Sequence, residues 1–211
     1  MRNPVGRLAV VCVNGGQARP VEGTWSASLE WLAGRLAPRL PDVAFAEVRY
    51  RVKSWQRMET CVEDALAAVE TVTRAGAERC VLLGFSMGGA VAVRAARHVA
   101  VAEVVGLAPW LPDRLDLSGL RGKRLAVFHG ALDRYLPGLP GVSPASSRRG
   151  FERAQALGVE GSYTLIPGAL HGIALRAHWG MPIPLPRAGR WAELVGAELE
   201  AACARRRAAA A

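Results

Sequence analysis

The sequence predicts an α/β fold: a doubly wound, mostly parallel six-stranded sheet with helices on both faces. Three observations lead there. Strand-like and helix-like hydrophobic patterns alternate from one end of the chain to the other. The strand segments are near-continuous apolar runs, such as Cys80-Val81-Leu82-Leu83, as a sheet covered on both faces requires. The turn Gly84-Phe85-Ser86-Met87-Gly88-Gly89 then joins one such run to an Ala/Val-rich helical stretch. Right-handed crossovers between successive strands make the sheet parallel.

The elements follow in order. Residues 8–13 form the first strand, which ends at Asn14-Gly15-Gly16. Residues 25–36 carry helical spacing at Trp25, Leu29, Leu32 and Leu36, with Thr24 as the N-cap. Residues 43–50 read as a strand, and residues 58–74 as a long helix with Val62, Leu66 and Val69 on one face. The strand 80–85 leads into the turn and the helix 87–99 leads out of it. A strand at 101–107 ends at Ala108-Pro109-Trp110, and another follows at 124–129 with no obvious helix between them. Residues 147–157 are helical, 162–166 the last strand, and 190–204 a closing helix. The Gly/Pro-rich residues 137–144 read as a loop rather than a boundary. The expectation is one domain over residues 1–211, with about 205–211 a frayed tail.

Composition narrows the classes of function. A chain of 211 residues, 51% hydrophobic and 21% charged, has the balance of a globular domain with a substantial core. No apolar run approaches the ~20 residues of a membrane span, and residues 8–13 are too short for a secretory core. The expected location is the cytoplasm. Cys12, Cys61, Cys80 and Cys203 are widely spaced, so no zinc site or disulfide framework is expected, and Cys12 and Cys80 read as buried thiols. The net charge of +9 is mostly arginine scattered along the chain, with lysine only at positions 53 and 123. That pattern is no nucleic-acid stripe. Arg148-Arg149 is kept as an anion contact set against a solvated helix face.

The turn at 84–89 has the form G-x-S-x-G, in a strand–turn–helix setting. Glycines two residues either side of the serine let the chain turn sharply without a clash. The Ser86 hydroxyl then stands at the end of the sheet. The helix starting at Met87 aims unpaired N–H groups and its positive end at the same place. A Gly-Gly pair opening a helix also serves close strand–helix packing or a phosphate, so the motif alone leaves both readings open. A serine nucleophile needs a base, and the base needs an orienting acid. His171, in Pro167-Gly168-Ala169-Leu170-His171-Gly172 after the last strand, is favoured over His178. His98 reads as surface or packing, and His129 as a residue shaping the turn at Gly130. Asp133, in His129-Gly130-Ala131-Leu132-Asp133, is favoured as the acid over Asp113 and Asp116, which read as turn or cap residues.

In this order Ser86, Asp133 and His171 resemble the α/β-hydrolase superfamily, and the likeness runs over nearly the whole chain. The segment from His129 to Pro137 is similar to that superfamily's HGxxDxxVP pattern, with Leu136 at the valine. The resemblance implies a minimal α/β-hydrolase fold and an oxyanion loop after the first strand, where Asn14-Gly15 replaces the frequent His-Gly. It further implies that the backbone N–H groups of Gly16 and Met87 hold a developing oxyanion, with Gln17 the alternative donor. The superfamily's first two antiparallel strands are missing, and only about fifteen residues stand where it inserts a cap.

The resulting expectation is a compact, capless serine hydrolase acting on an ester or related acyl bond of a small molecule. It needs no metal and no cofactor. Its partners include neither nucleic acid nor membrane, and its oligomeric state is open. Trp110 either lines the acyl pocket or belongs to the core. The alternatives are an acyltransferase on the same triad and a catalytically silent binding protein of this fold. A nucleotide-binding protein ranks last, because no G-x-G-x-x-G or P-loop is present.

Overall fold

A computed structural model of the protein describes residues 1–134 and 141–209. Six strands form one sheet: β1 (Leu8–Val13), β2 (Val43–Glu47), β3 (Arg79–Phe85), β4 (Val101–Leu107), β5 (Arg124–Gly130) and β6 (Glu160–Ile166). Their order is β2-β1-β3-β4-β5-β6, and every pairing is parallel. Five helices cover it: α1 (Ala27–Leu36), α2 (Met58–Arg74), α3 (Met87–Ala95), α4 (Pro144–Ala156) and α5 (Ala188–Ala209).

The two-residue period of the strands divides the core. Ala9, Val11, Val13 and Leu82 face a layer built by α2, α3 and α4 through residues such as Val62, Val69, Val91 and Phe151. Leu8, Val10, Cys12 and Leu83 face the opposite layer, where α1 and α5 bring Leu29, Leu32, Trp191 and Leu199. The chain winds one way from β1 to β2 and then returns to place β3 on the other side of β1. The strand order reverses there. The loops at the C-terminal ends of β1 and β3 flank the crevice that such a reversal opens.

Local differences from the sequence expectation have local causes. Helix α1 begins at Ala27, because Ser26 rather than Thr24 takes the cap position and accepts from the Leu29 N–H. The strand expected to reach Tyr50 leaves the sheet after Glu47. Tyr50 turns inward instead, and its hydroxyl donates to the Asn14 carbonyl at 2.8 Å. Helix α3 ends at Ala95, four residues early, and His98 accepts the Ala100 N–H in the turn that follows. Between β4 and β5 there is a single 3₁₀ turn, Ser118–Leu120. Two small antiparallel ribbons were not legible in the sequence. One joins Val21–Glu22 to Val52–Lys53, the other Ala174–Arg176 to Pro182–Pro184.

Helix α5 runs to Ala209, and Arg205 makes two bonds to Glu103, at 2.9 and 2.6 Å, and one to Glu198. Residues 210 and 211 lie outside the described residues, as do Leu136 and residues 137–140 of the expected loop. Among the described residues no helix is long and apolar enough to cross a membrane. All four cysteines are free, and burial pushes the Cys80 thiol up to about 11.

Candidate active site

The sharp turn after β3 is built by close approach. A Cβ on Gly84 would lie 2.4 Å from the Gly88 carbonyl oxygen, and one on Gly88 would lie 2.1 Å from the Val13 carbonyl oxygen. Only hydrogen fits at either position. The chain therefore folds tightly enough to force Ser86 to φ +54°, ψ −121°, a conformation an L-residue adopts only when its surroundings impose it. Three bonds fix the residue: its N–H donates to Leu107 O at 3.0 Å, and its carbonyl accepts from the Gly89 and Trp110 N–H groups, both at 2.9 Å. The Ser86 side chain is left half-buried at the mouth of the crevice, at the N-terminus of α3.

The loop after β1 packs directly on this turn. A Cβ on Gly15 would sit 3.4 Å from Ser86 Cβ. Asn14, buried at the end of β1, holds the loop in shape. Its Oδ1 accepts the Gly15 N–H at 2.7 Å, and its Nδ2 donates to the Thr24 carbonyl at 2.6 Å. Gly16 lies against Met87 Sδ and the Trp55 ring, with no room for a side chain. Its N–H donates to no protein acceptor among the described residues. Gln17 is exposed, and its carbonyl accepts the Trp55 N–H at 3.1 Å. Trp110 is half-buried, packs against the core and stacks on Trp55 with ring centroids 6.4 Å apart. Trp55, exposed enough to reach a ligand, carried no sequence signal beyond being a tryptophan in a polar stretch.

Asp133 and His171 arrive from β5 and β6. The turn after β5 and the loop after β6 are laced together: Ala131 N–H donates to Ile166 O and Leu132 N–H to Ala169 O, both at 2.9 Å. Gly130 makes this possible, since a Cβ there would strike the Leu170 carbonyl oxygen at 2.4 Å. The result places Asp133 Oδ2 2.7 Å from His171 Nδ1. Asp133 is buried, and the Val142 N–H donates to its other oxygen at 3.1 Å. Burial pushes the Asp133 carboxyl up, but hydrogen bonds from His129 and His171 outweigh that and hold it below the ordinary carboxylate range. His171 is half-buried, with its ring 5.1 Å from that of Phe85, the residue before the serine. Ser86 Oγ makes no hydrogen bond to His171 here.

The competing residues lie elsewhere. Asp116 is exposed and accepts both the N–H and the hydroxyl of Ser118, at 2.8 and 2.9 Å, in a local turn. Those bonds hold its carboxyl below the usual range. Asp113 is exposed on the same link. His178 packs edge-on against Trp179 at the tip of the 174–184 ribbon. Arg148 is exposed and sits over the Tyr163 ring, 4.2 Å from its centroid, so it is bound as a cation–π partner. His129, read in the sequence as shaping the turn at Gly130, is wholly buried, and its Nε2 lies 2.9 Å from Asp133 Oδ2. The one signal for it was a polar residue at the end of an apolar strand, four residues before the acid. Among the described residues no group of three or more His, Cys, Asp or Glu side chains converges as a metal site would.

Solved structures with this architecture carry hydrolase names. The esterase PE8 aligns at a TM-score of 0.67 with 15% identity, covering 95% of each chain. A sugar hydrolase, YeeB, from Lactococcus lactis aligns at 0.69 with 16% identity, covering 97% of this chain and 92% of that one. An alpha-beta serine hydrolase homologue from Coxiella burnetii aligns at 0.64 with 17% identity, over 94% and 87%. No protein-family model matches the sequence, and no curated protein matches it either. The likeness is one of backbone. It shows the α/β-hydrolase fold, in a form reduced to six parallel strands.

Proposed function

We propose that this α/β-hydrolase-fold protein is a serine hydrolase that cleaves an ester or related acyl bond of a small molecule through a covalent acyl-enzyme. The observation that carries the proposal is the meeting of three strand ends. Ser86, held at φ +54°, follows Phe85, whose ring lies 5.1 Å from that of His171, and His171 is bonded to Asp133 at 2.7 Å, on a fold shared with named esterases and hydrolases. In this reading Ser86 Oγ attacks the acyl carbon while His171 Nε2 takes its proton. Asp133 fixes the Nδ1–H tautomer and stabilises the imidazolium that forms. The carbonyl oxygen becomes an oxyanion, received by the N–H groups of Met87, at the head of α3, and of Gly16, in the loop after β1. The imidazolium then gives its proton to the leaving alcohol. Water, deprotonated by the same ring, hydrolyses the acyl-enzyme and frees Ser86. Trp110 and Trp55 form an aromatic wall for the apolar part of the substrate, and Gln17 stands at the rim.

The test is turnover of a panel of p-nitrophenyl esters from acetate upward, with product analysis in water alone and with an added alcohol. Saturable release by the native protein, absent in Ser86→Ala, supports the proposal. Product accumulating only as a new ester with the added alcohol would mark the site as an acyltransferase. No reaction with any ester would remove the enzymatic reading.

A further inference from the structure

Asp133 has two imidazole partners. His171 Nδ1 lies 2.7 Å from Oδ2, and His129 Nε2 lies 2.9 Å from that same oxygen. His129 is 0% exposed, and the reaction described above gives it no role. Its surroundings fix its tautomer. Nε2 faces two acceptors, Asp133 Oδ2 and the Val142 carbonyl, both at 2.9 Å, so the ring must carry a proton there. Nδ1 faces the Ser147 hydroxyl at 2.6 Å, which can donate to it. Ser147 Oγ in turn lies 2.9 Å from the Tyr163 hydroxyl, and Tyr163 also reaches the Pro144 carbonyl at 2.9 Å. With Nε2 protonated, every polar atom of the chain Asp133–His129–Ser147–Tyr163 has a partner, Ser147 Oγ also reaching the Pro144 carbonyl at 3.1 Å. The groups around it come from every neighbouring element: Asp133 and the Val142 carbonyl from the loop after β5, Ser147 and Arg148 from α4, Tyr163 from β6, and His171 beyond the shared carboxylate.

We infer that His129 is a positioning residue for the His171–Asp133 pair, a buried donor that takes part of the charge on Asp133 Oδ2 and so sets how strongly that oxygen holds the proton of His171. The inference rests on the serine-hydrolase reading for its consequence in catalysis, but the coupling itself needs no turnover. A carboxylate oxygen that loses one of two N–H donors concentrates its charge on the other, so His171 should keep its second proton to higher pH. The Val142 N–H on Oδ1 keeps the carboxylate in place when His129 changes.

The test compares His129→Gln with His129→Asn. The glutamine amide reaches the position of Nε2 and can still donate to Asp133. The asparagine amide reaches only the position of Nδ1 and cannot. The primary readout is the pH titration of the His171 imidazole signals by NMR, with the pH profile of kcat/KM on an ester as the second. In His129→Asn the His171 midpoint and the acid limb of kcat/KM should both move up by about 0.5–1 unit, while His129→Gln stays within roughly 0.3 unit of the native protein. No movement in folded His129→Asn, or equal movement in both variants, would overturn the inference. Should His129→Asn fail to fold, Ser147→Ala takes its place. It frees Nδ1 and loosens the ring, and the His171 midpoint should rise in the same direction by a smaller step; an unmoved midpoint would again overturn it. A shifted NMR titration in a protein that hydrolyses no ester would leave the coupling standing and remove only the hydrolase reading.

Discussion

Ser86 stands where it does because two neighbouring glycines let the backbone pass within van der Waals distance of its neighbours. The hydroxyl itself packs nothing. Ser86→Ala should therefore leave thermal unfolding unchanged while lowering ester turnover on the order of 10³-fold or more, as measured on purified protein. The acid is equally specific in its demands. Asp133→Asn should cost on the order of 10²–10⁴ in kcat, because an amide favours the wrong tautomer of His171. Asp116→Asn should cost little, since Asp116 serves only the turn at Ser118. A kcat loss at Asp116 equal to that at Asp133 would contradict the assignment. Ser86, Asp133 and His171 were legible in the sequence because each sits in a motif at a strand end. His129, Ser147 and Tyr163 were not, because nothing in one sequence says that a histidine four residues before an aspartate turns its ring toward that carboxylate. That depends on how α4 closes over β5 and β6.

At the scale of elements, the strands and their order of appearance were legible from apolar runs, while the ends of elements were not. Ser26 displaces Thr24 as the cap of α1 because the Glu47 carboxylate, at the end of β2, accepts the Ser26 N–H at 2.7 Å and fixes where the helix starts. That carboxyl is itself perturbed: burial pushes it up to about 7. A carboxyl raised on folding favours the folded state only while protonated. It therefore withdraws stability as pH rises from its unfolded value, about 4.3, through 7. Glu47→Gln keeps an acceptor for Ser26 and removes the charge. It should raise the melting temperature by a few degrees at pH 8 and leave it unchanged at pH 4. A gain of equal size at both pH values would show that ionisation is not the cause. The joint between β3 and α3 makes the opposite case. Gly88→Ala would drive a methyl into the Val13 and Asn14 carbonyl oxygens, at 2.1 and 2.5 Å. The expected destabilisation exceeds about 3 kcal/mol in denaturant unfolding, among the larger values for a single substitution.

The molecule as a whole is a sheet with its candidate catalytic residues gathered at one edge. The topology puts it there: the loops after β1, β3, β5 and β6 all open at the C-terminal ends of parallel strands. The link between β4 and β5, where a cap would be inserted, holds one 3₁₀ turn, and Arg153 of α4 donates to the Pro112 and Leu115 carbonyls ahead of it. A site with no cap there should show no jump in rate at a lipid–water interface, and soluble short or medium esters should be preferred. Activation by emulsified triglyceride would count against this. The exposed apolar ribbon with Leu175, Trp179, Met181 and Ile183 beside the His171 loop makes that comparison a demanding one. Whether Ser86 is an activated nucleophile is tested most directly by intact-mass measurement after exposure to a fluorophosphonate. One adduct per chain is expected, mapped to Ser86, absent in Ser86→Ala and strongly slowed in His171→Ala. A folded native protein that stays unmodified, or one modified at another residue, would contradict it.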